Sequence, residues 1–211
     1  MKAVKIALGC VFIVIIIWFL IPTSWEIRNA DPEGESIICF GDSLAYGTGA
    51  KEGMDYPSQL SGLIGREILN TGVPGDTTAT ALDRLDGIID RNPRIVLITL
   101  GGNDLKNRIN KEVAFNNLEL IIGRIQDHGA LVVLGGIDVP LYGRGFGEAY
   151  EELAKKTGSV LIPNIFKGIM GRPSLMSDPI HPNSEGYTIM AQHFYNAVEP
   201  YLKGEGTSPG E

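Results

Sequence analysis

Histidine and cysteine are both scarce in this 211-residue sequence, and their positions exclude more than their numbers do. The three histidines, His128, His181 and His193, show no HExxH or Cys/His spacing of the kind that holds zinc, so no metal is expected. The two cysteines, Cys10 and Cys39, fall in an apolar run and in an expected buried strand. They are poorly placed to pair, and a disulfide framework needs more of them. Basic clusters are missing as well. Lys and Arg number 18 against 25 Asp and Glu, a net charge of -7, with no basic block or stripe. That argues against nucleic acid as a partner. No internal repeat is found. A composition 44% hydrophobic and 20% charged is that of a globular chain, long enough for one domain with a sizeable core.

One long apolar run is present. Residues 6–21 read IALGCVFIVIIIWFLI, without a charge, behind Lys2 and Lys5. As a helix this run is about 24 Å long, slightly short of a hydrocarbon core. Lys5 can extend it at one end by snorkelling, and Trp18 and Trp25 suit an interface at the other. A cleaved signal peptide would want small residues before its cleavage site; Ala30 offers one, but Arg28 stands where the second should be. A lipoprotein reading on Leu8-Gly9-Cys10 leaves most of the apolar run after the cysteine. The favoured expectation is an uncleaved transmembrane signal anchor over residues 1–28, with the rest of the chain outside the cytoplasm. Secretion after cleavage is the alternative. Residues 29–35 (NADPEGE) read as a linker, 36–201 as the domain and 202–211 as a disordered tail.

Within the domain, short apolar runs alternate with helical periodicity. Strands are expected at 36–40, 66–70, 94–100, 130–136 and 159–162, and helices at 56–64, 77–90, 111–128, 148–157 and 184–201. In the last helix Tyr187, Met190, Ala191, Phe194 and Val198 share one stripe, a core face rather than a cofactor site. Strand–helix alternation of this kind implies an α/β three-layer sandwich with a five-stranded parallel sheet.

Ligands of open parallel sheets bind beyond the carboxyl ends of the strands. The residues just after each strand are therefore informative. Gly41-Asp42-Ser43 comes after the first, a turn through Gly72 and Gly75 after the second, and Gly101-Gly102-Asn103-Asp104 after the third, while Asp178-Pro179-Ile180-His181 precedes the last helix. A serine hydroxyl needs a base within hydrogen-bond reach, and imidazole titrates near neutrality. His181 has Asp178 three residues before it in a segment stiffened by Pro179 and Pro182, so the carboxylate can hold one ring nitrogen and leave the other for Ser43. His128 and His193 have no such neighbour and read as surface or capping residues. Gly75, Asn103 and the Ser43 N–H are candidate oxyanion donors.

These four segments, in this order, resemble the four blocks of the SGNH (GDSL) hydrolases, over roughly residues 36 to 201. The resemblance is nearest to the small bacterial thioesterase I, lysophospholipase L1 and arylesterase branch. It implies Ser43 as nucleophile, His181 as base and Asp178 as its partner. It also implies an oxyanion hole of Ser43, Gly75 and Asn103, a flavodoxin-like fold, and no metal or cofactor. Ala45 departs from the pattern, since many relatives carry a small polar residue after GDSL. A carbohydrate O-acetylesterase would use the same residues.

Other classes fit less well. A flavodoxin-like binding module gives Asp178 and His181 no task, and GDSLAYGTG lacks the Gly-Lys-Ser/Thr ending of a phosphate loop. A silent adhesion protein would not need the set intact. A metal phosphoesterase would rest on Asp42 and Asp104. Gly206-Thr207-Ser208-Pro209-Gly210 matches a nucleophile-elbow pattern but comes after no strand and lies in the tail. Substrate selectivity is expected in 138–147 (DVPLYGRGFG), where Leu141, Tyr142 and Phe146 can cover an acyl chain.

Overall fold

The computed structural model describes residues 25–139 and 145–202. The apolar run 6–21, the last residues of the expected tail (203–211), Leu141 and Tyr142 lie outside the described residues. Among those described, no helix is long and apolar enough to cross a membrane.

Five strands form one parallel sheet: β1 (Ser36–Gly41), β2 (Ile68–Asn70), β3 (Pro93–Thr99), β4 (Leu131–Gly135) and β5 (Val160–Ile162), in the order β2-β1-β3-β4-β5. The inner strands β1, β3 and β4 are continuous β-branched and apolar runs with almost every residue buried, as expected of strands covered on both faces. β2 and β5 are shorter and lie at the edges. The principal helices are α2 (Tyr56–Ile64), α3 (Thr78–Asp83), α4 (Asp86–Ile89), α6 (Lys111–Asp127), α7 (Phe146–Thr157) and α8 (Ser184–Val198). One-turn helices α1 (Ser43–Tyr46) and α5 (Gly102–Lys106) come directly after β1 and β3.

Right-handed crossovers fix which face each helix covers. The chain steps one way from β1 to β2, and the opposite way from β2 through β3 and β4 to β5. That puts α2 on one face and α3, α6 and α7 on the other. Packing agrees: α2 meets α8, where Tyr56 stacks on Phe194 at 4.6 Å, and α6 meets both α3 and α7, where Phe115 sits edge-on to Tyr150 at 4.9 Å. Reversal of the strand order between β1 and β3 opens a crevice at their carboxyl ends.

Two expectations change. The single helix expected over 77–90 is two, because the first, opened by a Thr77/Thr80 capping box, ends at Arg84. The arginine side chain turns back instead to Asp76 and to the Gly41 carbonyl. The expected linker, and with it Trp25 and Arg28 of the expected anchor, is fastened to the domain. Trp25 Nε1 donates to the Ser159 carbonyl at 2.9 Å, Arg28 N to Gly158 O at 2.9 Å, and the Asn29 amide to Gln126 O and Ala130 O. Glu33 N in turn donates to Gly129 O. These acceptors precede β4 and β5, so residues 25–33 run along the edge of the sheet opposite the crevice.

Candidate active site

Each polar residue at the crevice is delivered by the end of a strand. β1 ends at Gly41, where an added Cβ would stand 2.5 Å from the Thr99 carbonyl and 2.8 Å from the Ala45 side chain, so β1 and β3 can pair to their last residues only with glycine here. Ala45 itself is fully buried. Asp42 then caps α1, accepting from Leu44 N at 2.9 Å, and Ser43 opens that helix with its hydroxyl at the crevice.

Ser43 Oγ lies 3.0 Å from His181 Nε2, and His181 Nδ1 lies 2.6 Å from Asp178 Oδ2. Because an ionised carboxylate only accepts, Nδ1 carries the proton, and Nε2 is left to accept from the Ser43 hydroxyl. The turn holding Asp178 and His181 is braced within itself. Asp178 Oδ1 accepts from Ile180 N and His181 N, Ser177 N donates to His181 O, and Met176 bridges Pro182. Desolvation raises the Asp178 pKa, but the bond from the His181 ring, the two backbone N–H groups and the imidazole's charge outweigh it, and the carboxyl lies below its usual range.

Two backbone N–H groups at this rim, those of Ser43 and Gly75, donate to no acceptor among the described residues. Gly75 is exposed in a left-handed turn at φ +92°, a conformation that favours glycine, and the turn is held by Val73 N to Gly41 O at 3.0 Å and Asp76 N to Val73 O at 3.1 Å. The Asn103 amide donates to the Asp76 carbonyl at 2.9 Å and, over 3.3 Å, to Asp42 Oδ2. Asp42 is buried; desolvation, and after it the negative charges of Asp76 and Asp104, push its pKa up to about 7 against the Leu44 N–H bond. Asp104 is also buried, both its oxygens taken by the N–H and hydroxyl of Thr78. It therefore ties the β3 loop to the start of α3.

Ser43, Asn103 and His181 line a cleft of about 440 Å³. Its remaining wall is mainly apolar: Leu44, Leu105, Ile137, Val139, Phe166, Met170 and Ile180, with Lys106 also lining it. The segment 138–147, expected to supply this wall, contributes Val139 to it. Phe146 is instead buried in the core, its ring 5.4 Å from that of Phe115, and is not part of the cleft lining. As the first residue of α7 it faces α6, so the helix starts two residues before its expected position. Two of the wall residues, Phe166 and Met170, come from the unassigned segment after β5, where they recur with the buried Ile165 and Ile169 at helical spacing, a signal present in the sequence. His128 ends α6 with its ring on Arg124 O, and His193 on α8 meets Ile165 O. Both are outside the cleft.

A model of the GDSL-like Lipase/Acylhydrolase family matches residues 39–189. An arylesterase of Vibrio mimicus is 31% identical over 188 residues, 83% of this chain and 94% of that protein. Among solved structures, the esterase AlinE4, described as an SGNH-hydrolase family esterase, is 33% identical with a TM-score of 0.64, covering 81% of this chain and 99% of that one. The crystal structure of TesA, at 24% identity, shares the fold with a TM-score of 0.75 over 79% of this chain and 99% of its own.

Proposed function

The chain belongs to the GDSL-like lipase/acylhydrolase family and is an ester-bond serine hydrolase, and on that premise we propose that Ser43 is its nucleophile, His181 its general base and Asp178 the group that orients the base. The observation that carries this is the chain Ser43 Oγ–His181 Nε2–Asp178 at 3.0 and 2.6 Å. Ser43 Oγ attacks the acyl carbonyl while its proton passes to Nε2, and Asp178 stabilises the imidazolium that forms. The oxyanion is met by the N–H groups of Ser43 and Gly75 and by the Asn103 amide, whose hydrogen on the longer bond to Asp42 is the one that turns to substrate. His181 returns its proton to the leaving alcohol or thiol. A water then repeats the sequence on the acyl-enzyme, restoring Ser43.

The substrate class we propose is an acyl ester or thioester whose acyl chain lies along the wall of Leu105, Ile137, Phe166 and Met170. An organophosphonate should label Ser43, and Ser43→Ala should keep the fold while losing labelling and turnover; turnover retained by that variant rules the mechanism out. On a panel of acyl lengths, kcat/KM should rise from acetyl to chains that fill the cleft, each buried methylene contributing about 0.8 kcal/mol, roughly fourfold. A preference for acetyl esters would point to an O-acetylesterase.

We also propose that the run 6–21, behind Lys2 and Lys5, anchors the chain in a membrane with the domain outside the cytoplasm. Residues 25–33 lie on the sheet edge opposite the cleft, an attachment that leaves the cleft unobstructed. Full-length chain recovered without detergent in a soluble fraction, with its N-terminus intact, would exclude the anchor.

A further inference from the structure

Arg84 does not line the cleft, yet every group it binds stands beside an oxyanion donor. Its Nε is 2.7 Å from Asp76 Oδ2, and Asp76 is the residue after Gly75 in the chain. Its Nη2 donates at 3.0 Å to the carbonyl of Gly41, two residues before Ser43. The Asp76 carbonyl in turn accepts from the Asn103 amide at 2.9 Å. The guanidinium lies over the buried Phe40 ring, its centre 4.5 Å from the ring centroid, and Thr80 Oγ donates to the other Asp76 oxygen at 3.0 Å. One planar fork thus joins the last residue of β1 to the loop after β2, and through Asp76 reaches the loop after β3. A separate backbone bond, Val73 N to the same Gly41 carbonyl, joins the first two in parallel but does not reach Asn103.

We propose that Arg84 is a positioning residue of the oxyanion hole, fixing the spacing of the Ser43 N–H, the Gly75 N–H and the Asn103 amide without touching substrate. This rests on Ser43 being the nucleophile. Three donors on three loops stabilise a developing charge only if their separation is set before the charge appears. Rigid two-point binding by a guanidinium provides that, and a lysine, with a single compact head, cannot reproduce it.

The test compares Arg84→Lys, Arg84→Met and Asp76→Asn with the parent chain. Arg84→Lys keeps the cation and the aliphatic stem near Phe40, so it carries the test where Arg84→Met fails to fold. In folded Arg84→Lys, kcat should fall roughly 10- to 100-fold, less than the loss for deleting a donor outright, while KM and labelling stoichiometry at Ser43 stay as in the parent. An alkyl boronic acid, whose serine adduct carries negative oxygen in the hole, should lose affinity in step with kcat. In an Asn103→Ala background, Arg84→Lys should cost less than in the parent. Full kcat in Arg84→Lys, a loss confined to KM, or strict multiplication of the two losses would overturn the proposal. An inert Ser43→Ala beside a fully active Arg84→Lys overturns this proposal alone, whereas an active Ser43→Ala overturns both readings.

Discussion

Two aspartates serve the surroundings of Ser43, and they are opposites. Asp178 is 43% exposed, yet its pKa is lowered; Asp42 is 2% exposed, and its pKa is raised to about 7. Asp178 meets a ring N–H and two backbone N–H groups, all of which favour its charge. Asp42 meets one backbone N–H at 2.9 Å and one amide at 3.3 Å, is buried, and feels the negative charges of Asp76 and Asp104. Adjacency to Ser43 in the chain belongs to Asp42, but the surroundings able to sustain a charge beside an imidazolium belong to Asp178. The carboxylate that suits the chemistry is the one far away in the sequence, in the turn before the last helix.

The largest test of that contrast is Asp178→Asn. It should keep the fold and lower kcat by roughly 10²–10⁴, the usual contribution of positioned acid–base catalysis, as read from steady-state kinetics on a short acyl ester. Asp42→Asn, measured in parallel, should cost clearly less in kcat; equal losses would erase the distinction between the two carboxyls. Next comes Asn103→Ala, which removes the one side chain shared by Asp42 and the cleft. Its kcat should drop roughly 10²–10³ with KM little changed, and a change in KM alone would make Asn103 a binding residue.

The smallest effect sharpens the comparison in stability. Asp42 in the folded chain holds its proton up to about pH 7, whereas unfolded it would release it near about 4. Between those values the folded state binds more protons, so stability falls as pH rises through that window. Asp178, lowered by folding, has the opposite sign: its contribution is present above the unfolded pKa and lost as pH falls. The Tm of Asp42→Asn should therefore gain on the parent as pH rises from about 4 to about 7. A Tm difference independent of pH would remove the buried-carboxyl account.

Much of the fold was legible in the chain. Inner strands such as PRIVLIT are long, β-branched and bounded by Asn92 and Gly101, and helix α6 carries Leu118, Ile121, Ile122 and Ile125 at the spacing of one buried face. The order of the four polar blocks named the residues that the fold brings to one crevice. Less was legible where a tertiary bond overrides local preference. Nothing in 77–90 announces that the helix will end at Arg84, whose side-chain partners Gly41 and Asp76 lie at the end of β1 and in the loop after β2. Phe146 reads as a residue that can cover an acyl chain until α6 is seen to offer Phe115 as its neighbour.

The sequence by itself determined the parallel α/β architecture and the set of polar residues at the strand ends. Hydrophobic periodicity and glycine placement are local properties of the chain, and parallel strands send all their carboxyl ends to one side. Only the tertiary structure decided which aspartate has its pKa raised and which lowered, what lines the cleft and where residues 25–33 lie. Each of those depends on distances between segments far apart in sequence: the burial of Asp42, the meeting of Phe166 and Met170 with Leu105 and Ile137 around one cleft, and the carbonyls ahead of β4 and β5 that Trp25 and Asn29 reach. A pKa is set by solvent exclusion and neighbouring charge, and neither is defined until the chain has closed around the group.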